Sequence, residues 1–343
     1  MEKYLNLKAD HSMHGMTVEK ILRKNMGLTK KQISRAKFRP DGICKNKIQC
    51  RVTEKISEGD EIRVCLETED LESVQLSFNE KAVKLDIIYE DEDVLVVNKQ
   101  AGILTHPSGM HYSDSLSNHV SAYFRLNGLS VCVRPIGRLD KETSGIVLFA
   151  KNQVAAQRLQ EQRAKGLLEK QYLAITEGKF PVDQNSDWHT IDCPIRKTGN
   201  HPLRMETIKN INMSALEQSV CENSTDNGGY LHAVTHYRVI DSTDEWSAVN
   251  LKLDTGRTHQ IRVHMLSIGH PLIGDSLYNR SVDKIELYSI NRAALHAWKV
   301  SFYQPFTKKK IILEASLPED FQQFYQEKNK ITNNGGCYVS TGS

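Results

Sequence analysis

Residues 138–145, Arg138-Leu139-Asp140-Lys141-Glu142-Thr143-Ser144-Gly145, place an Arg-x-Asp triplet in turn-forming sequence directly before the apolar run Ile146-Val147-Leu148-Phe149-Ala150. The run reads as a strand and the octet as a loop poised on it, which is where catalytic groups tend to sit. A second polar cluster, Asp254-Thr255-Gly256-Arg257-Thr258-His259-Gln260-Ile261-Arg262-Val263-His264, interrupts alternating apolar sequence with two arginines and two histidines. The two clusters read as one site.

The sequence around them gives the fold class. Strand patterns cover Leu85–Tyr89 and Asp93–Asn98, and helical spacing covers Ser115–Leu126 and Gln153–Ala164. The alternation in Gln171-Tyr172-Leu173-Ala174-Ile175 puts Tyr172 on the strand face opposite Leu173. Many strands with intermittent helices predict an α+β fold with a mixed, largely antiparallel sheet, not regular βαβ units.

The N-terminal stretch differs in charge. Residues 16–51 hold eleven Lys and Arg, among them Lys30, Lys31, Arg35 and Lys37, whereas 67–94 is acid-rich. Thr17 can cap a helix through Lys24, Thr29 another through Ala36, Ser57-Glu58-Gly59-Asp60 supplies a turn, and Glu61–Cys65 closes the unit as a strand. The expected division is a small domain at 1–66, a linker at 67–83, a large domain at 84–318, and a C-terminal helix end with a disordered tail at 319–343. Asn210–Gly229 is polar and reads as an insertion or mobile loop.

Total charge decides little, since 45 Lys and Arg against 42 Asp and Glu leave only +3. Seven scattered cysteines without Cys-x-x-Cys argue against a disulfide framework or a zinc site. Without a membrane-length apolar run or a signal-peptide pattern, the expected location is the cytoplasm. Gly-x-Ser-x-Gly, phosphate-loop and Gly-x-Gly-x-x-Gly patterns are missing, so esterase, NTPase and dehydrogenase chemistry lack support.

The octet at Arg138, the later Lys170-Gln171-Tyr172, and Gly256–His264 resemble, in order, the three signature segments of the RluA-type pseudouridine synthases. Asn98-Lys99-Gln100-Ala101-Gly102 with His106-Pro107, and Gly269–Asp275, also match, so the resemblance spans residues 84–318. The N-terminal unit looks like the small α-L RNA-binding module of ribosomal proteins, with Lys30, Lys31, Arg35 and Lys37 presented to phosphates.

The resemblance implies an isomerase that breaks the N1–C1′ bond of a uridine in RNA, turns the uracil and rejoins it through C5, with no cofactor. It makes Asp140 the catalytic carboxylate, acting at C1′ or assisting removal of the C2′ proton. Taken alone, an aspartate in such a turn is as readily a local cap. Tyr172 corresponds to a tyrosine that stacks on uracil or moves a proton, and Arg262 to an arginine that pairs with the aspartate. Arg138 corresponds to an arginine entering the RNA stack in place of the extruded nucleotide. Arg257 and His259 are assigned to RNA-backbone contacts or support of the site, and no metal is expected.

Gly137 departs from the family pattern, in which many members carry histidine there. The partner implied is structured RNA, ribosomal in preference and large-subunit in particular, with transfer RNA as the alternative target. The chain is expected to act as a monomer. A noncatalytic RNA-binding or ribosome-assembly protein on the same fold is the competing reading, and intact Asp140, Tyr172 and Arg262 weigh against it.

Overall fold

In the computed structural model, which describes residues 3–66, 84–108, 113–129, 131–180, 187–199, 204–207, 229–279 and 289–332, the basic N-terminal stretch forms a four-stranded antiparallel sheet carrying two short helices. Helix α1 (Val18–Lys24) starts where the Thr17 side chain accepts from Lys20 N, and α2 (Lys30–Ala36) starts at a reciprocal cap between Thr29 and Gln32. Both caps fall where the sequence places them. The strands are β1 (Lys3–Lys8), β2 (Ile43–Lys45), β3 (Ile48–Gln49) and β4 (Glu61–Leu66), in the order β1-β4-β2-β3. Val18, Ile21, Leu22, Ile33, Ile43 and Ile62 bury the inner faces of these elements together, and each such side chain contributes roughly 1.5 to 3 kcal/mol.

A larger sheet of ten strands follows. It contains β5 (Ile87–Glu90), β6 (Val94–Lys99), β7 (Arg134–Ile136), β8 (Ser144–Ala150), β9 (Glu169–Glu177), β10 (His189–Asp192), β13 (Val234–Ser242), β14 (Trp246–Leu253), β15 (Leu295–Tyr303) and β16 (Lys310–Glu314). Two further short strands, β11 (Ile195–Lys197) and β12 (Met205–Thr207), pair with each other. The main path runs β10-β13-β14-β9-β15-β8-β6-β5, with β16 beside β15 and β7 beside β8. Every pairing in it is antiparallel except β8 with β15, so the sheet is mixed and largely antiparallel.

Strand β8 is buried along its whole length. Val147 and Phe149 enter one core and Ile146, Leu148 and Ala150 another, as strand alternation requires. The second core is closed by α4 (Gln153–Ala164) through Ala155 and Leu159, while α3 (Leu116–Leu126) closes the first through Leu116, Val120 and Phe124. In β9, Tyr172 packs into the first core and Leu173 into a different one, the opposite faces read from the alternation.

The parallel contact of β8 with β15 has a specific requirement. Gly145, at φ +111°, pairs with Ala297, and a Cβ there would lie 2.3 Å from the Ala297 carbonyl oxygen. Only glycine lets the two backbones approach this closely.

The N-terminal unit packs on α4. Val154 joins its core, Gln157 Nε2 donates to the Gly27 carbonyl at 3.1 Å, and Arg158 donates to the Met26 carbonyl. The last helix, α6, spans Glu319–Thr332, the first part of the stretch 319–343 read as a helix end and tail. Residues 67–83, read as a linker, residues 333–343, read as part of a tail, and residues 210–228 of the stretch read as an insertion lie outside the described residues.

Candidate active site

The loop after β7 carries Asp140, and the backbone on either side of it is tied down. Thr105, only 3% exposed, donates from its hydroxyl to the Leu139 carbonyl at 2.9 Å and accepts from Leu139 N at 3.1 Å. Lys99, 1% exposed, donates its ammonium protons to the carbonyls of Lys141, Ile103 and Gln100 at 3.1, 2.7 and 2.9 Å. Gly102 N also reaches the Lys141 carbonyl, and Arg292 donates to that of Glu142 at 3.0 Å. Arg292 is itself fixed by Asp320 through two hydrogen bonds of 2.7 and 3.0 Å. Asp140 is half-buried, and its own carbonyl accepts from Thr143 N. A loop whose polar backbone groups are satisfied in this way holds its side chain in one place.

Burial depresses Lys99 to about 7, with Arg292 pushing the same way and Asp140 and Glu142 opposing. Burial also pushes the Tyr172 phenol up to about 12; Arg163 opposes this and Asp140 adds to it. At neutral pH the phenol therefore keeps its proton.

The second cluster forms the turn from β14 into helix α5, Gln260–Ser267. The helix was not legible in the sequence because Gln260 to Met265 are all buried, leaving no polar face to mark its period. Gln260 knots the turn: its side-chain carbonyl accepts from Thr255 Oγ1 and Arg257 N, and its amide donates to Val234 O and Thr235 Oγ1. His259 precedes the helix at φ +55°, left-handed backbone that costs a side-chain-bearing residue about 1 kcal/mol or more. Its Nδ1 lies 3.0 Å from the Tyr278 hydroxyl, and burial lowers its pKa while Asp140 opposes.

Arg262 does not hydrogen-bond to Asp140. Its Nε and Nη2 bind the two carboxylate oxygens of Asp275 at 2.7 and 2.6 Å, with the pair 7% and 0% exposed, and its guanidinium lies 5.0 Å over the Tyr278 ring. Burial works against the charge, but Asp275 and, more weakly, Asp140 hold the arginine above its ordinary pKa. Asp140 is thus close enough to act on Arg262, Tyr172, His259 and Lys99.

Arg138 is exposed and donates to Thr258 Oγ1 at 3.0 Å, joining the two clusters. Arg257 turns away, donating from Nε to the His232 carbonyl at 3.2 Å. His264 faces Thr235 and the Cys193 carbonyl. Lys30, Lys31, Arg35 and Lys37 are exposed on or beside α2 in the N-terminal unit, apart from this cluster in the fold. Among the described residues no group of three or more His, Cys, Asp or Glu could hold a metal ion, and no helix is long and apolar enough to cross a membrane.

Sequence reasoning gave no role to Lys99, Arg163, Asp275, Tyr278 or Arg292. Lys99 and Asp275 stand in motifs already quoted, but their partners lie far along the chain and only the fold reveals them.

Fold and site together define an α+β protein in which two polar loops converge over a central mixed sheet, one bringing an anchored carboxylate and the other a buried arginine. A family model described as RNA pseudouridylate synthase matches residues 93–267. The uncharacterized RNA pseudouridine synthase YhcT of Bacillus subtilis (strain 168) is 37% identical over 269 residues, 78% of this chain and 78% of the relative. The ribosomal large subunit pseudouridine synthase D of Zymomonas mobilis subsp. mobilis is 32% identical over 252 residues, 71% of this chain and 73% of that one. Among solved structures, Human RNA Pseudouridylate Synthase Domain Containing 1 aligns with a TM-score of 0.52 at 25% identity, over 71% of this chain and 87% of the other. The chain belongs to the RNA pseudouridylate synthase family and to its RluA type. It is an isomerase acting on RNA.

Proposed function

We propose that this enzyme isomerises specific uridines of large-subunit ribosomal RNA, with Asp140 as the group that opens the N1–C1′ bond. The anchoring of the Asp140 loop by Thr105, Lys99 and Arg292 carries this reading, because a carboxylate that must meet one sugar carbon needs a fixed approach. Arg262, held by Asp275 in a two-point pair, brings a fixed guanidinium to the same site. Tyr172, which keeps its proton and packs in the same core as Leu139, is the group that stacks on the uracil or donates a hydrogen bond to it.

Extruding a nucleotide costs a few kcal/mol, and exposed Arg138 at the seam of the two loops can stack where the base was. The N-terminal unit acts as an RNA-binding domain, using Lys30, Lys31, Arg35 and Lys37 on phosphates. The preference for ribosomal RNA is supported by relatives named as large-subunit synthases, from Zymomonas mobilis, Nitrosomonas europaea and Neisseria meningitidis.

The test is pseudouridine mapping by carbodiimide-dependent primer-extension stops on total RNA from cells lacking the protein and from complemented cells. A stop in large-subunit RNA that vanishes and returns with the protein is the expected result. A lost stop confined to transfer RNA would redirect the target, and no lost stop would overturn the reading.

A further inference from the structure

Arg163, in the last turn of α4, belongs to none of the recognised motifs, yet its guanidinium lies across both loops of the site. A Cβ built on Gly137, next to Arg138, would stand 3.3 Å from Arg163 Nη1, and one on Gly256, two residues before Thr258, would stand 2.7 Å from Nη2. The guanidinium thus fills the space left by two missing side chains, one of them at the position where the chain departs from its family's pattern. It is near enough to Tyr172 and to Lys170 to act on both electrostatically. Arg163 is nevertheless exposed, and among the described residues its side chain makes no hydrogen bond or ion pair.

The Arg138–Thr258 bond closes the same seam between the two loops. Two guanidinium groups gathered there, neither with an acidic partner among the described residues, gain most from an anion arriving from outside. A planar fork of donors suits the oxygens of a phosphodiester.

We infer that Arg163 is a substrate-contacting residue that takes the RNA phosphodiester next to the target uridine, and that Gly256 is glycine because it makes room for it. The inference rests on the reaction proposed above. Arg163 fixes the strand beside the opening nucleotide while Arg138 takes the vacated place in the stack.

The test uses the full chain and deproteinised ribosomal RNA from cells lacking the protein, labelled with tritium at C5 of uridine. When C5 takes up the bond to C1′, its tritium passes to water and can be counted. Arg163→Ala is expected to raise KM about tenfold with kcat changed less than about threefold. The salt slope of RNA binding should fall by about 0.7 to 0.9, the share of one phosphate. Arg163→Lys should recover much of the KM. Gly256→Ala, which pushes the guanidinium aside, should reproduce part of the defect in the wild type and add nothing to Arg163→Ala.

An unchanged KM and slope would overturn the inference, and so would a raised KM with unchanged slope and a lowered melting temperature, the signature of a clamp between loops. If wild-type protein releases no tritium, the proposed reaction fails, while the salt slope on the same RNA still decides whether Arg163 meets a phosphate.

Discussion

The two ends of this molecule use positive charge in opposite ways. On α2 and just past its end, Lys30, Lys31, Arg35 and Lys37 stand in solvent, and Lys37 even lies 4.7 Å over the ring of Phe38, which is 79% exposed. Around Asp140 three cations are buried and committed: Lys99 to three carbonyls, Arg262 to Asp275, Arg292 to Asp320 and the loop backbone. Exposed cations attract a polyanion over a distance and leave folding almost untouched. Buried ones set geometry, and removing a partner leaves a charge that cannot reach water. The same residue types therefore report on binding at one end and on the shape of the site at the other.

The largest expected effect that would break this contrast is on the Arg262–Asp275 pair. Asp275→Asn leaves a buried guanidinium without its counter-charge and should lower unfolding stability by about 3 to 5 kcal/mol in denaturant titration. A loss under about 1 kcal/mol would mean that water reaches the pair and that the site is less closed than its 7% and 0% exposures indicate.

A smaller effect follows from Lys99. Its folded pKa of about 7 lies below its ordinary value of 10.5 because burial disfavours the charge. Between these values the unfolded chain binds a proton that the folded chain lacks, so this contribution is fully present above the unfolded value and is lost as pH falls through the folded one. Wild-type stability should then gain about 2 kcal/mol from this residue between about pH 7 and pH 9, and Lys99→Met should lack that gain in melts at the two pH values. An identical pH slope in both proteins would remove the claim.

The smallest effect on folding belongs to α2. Lys31→Ala combined with Arg35→Ala should change stability by less than about 0.5 kcal/mol each. The salt dependence of RNA binding should become shallower by about 1 to 2 in the log–log slope. A stability loss with an unchanged slope would reverse the roles assigned to the two ends.

Much of this was readable in the sequence because its signals are local. Thr17 and Thr29 cap the helices they precede, Gln153–Ala164 begins and ends where its spacing predicts, and Tyr172 and Leu173 part to opposite faces. What was not readable depends on contacts between distant residues. Strand β1 becomes a strand by pairing with β4 some fifty residues later. Helix α5 hides its period because it is buried all round, and Arg262 meets Asp275 thirteen residues on in place of Asp140. Arg163 lay in an ordinary polar helix until the fold brought it over Gly137 and Gly256.

The most direct test of the account compares purified wild type with Asp140→Asn, an isosteric change on an anchored loop, for release of tritium from C5-labelled ribosomal RNA and for affinity to the same RNA. The account predicts that release disappears while affinity stays within a few-fold and the melting temperature holds. Release that persists in Asp140→Asn would show that another group opens the glycosidic bond and would contradict the central assignment.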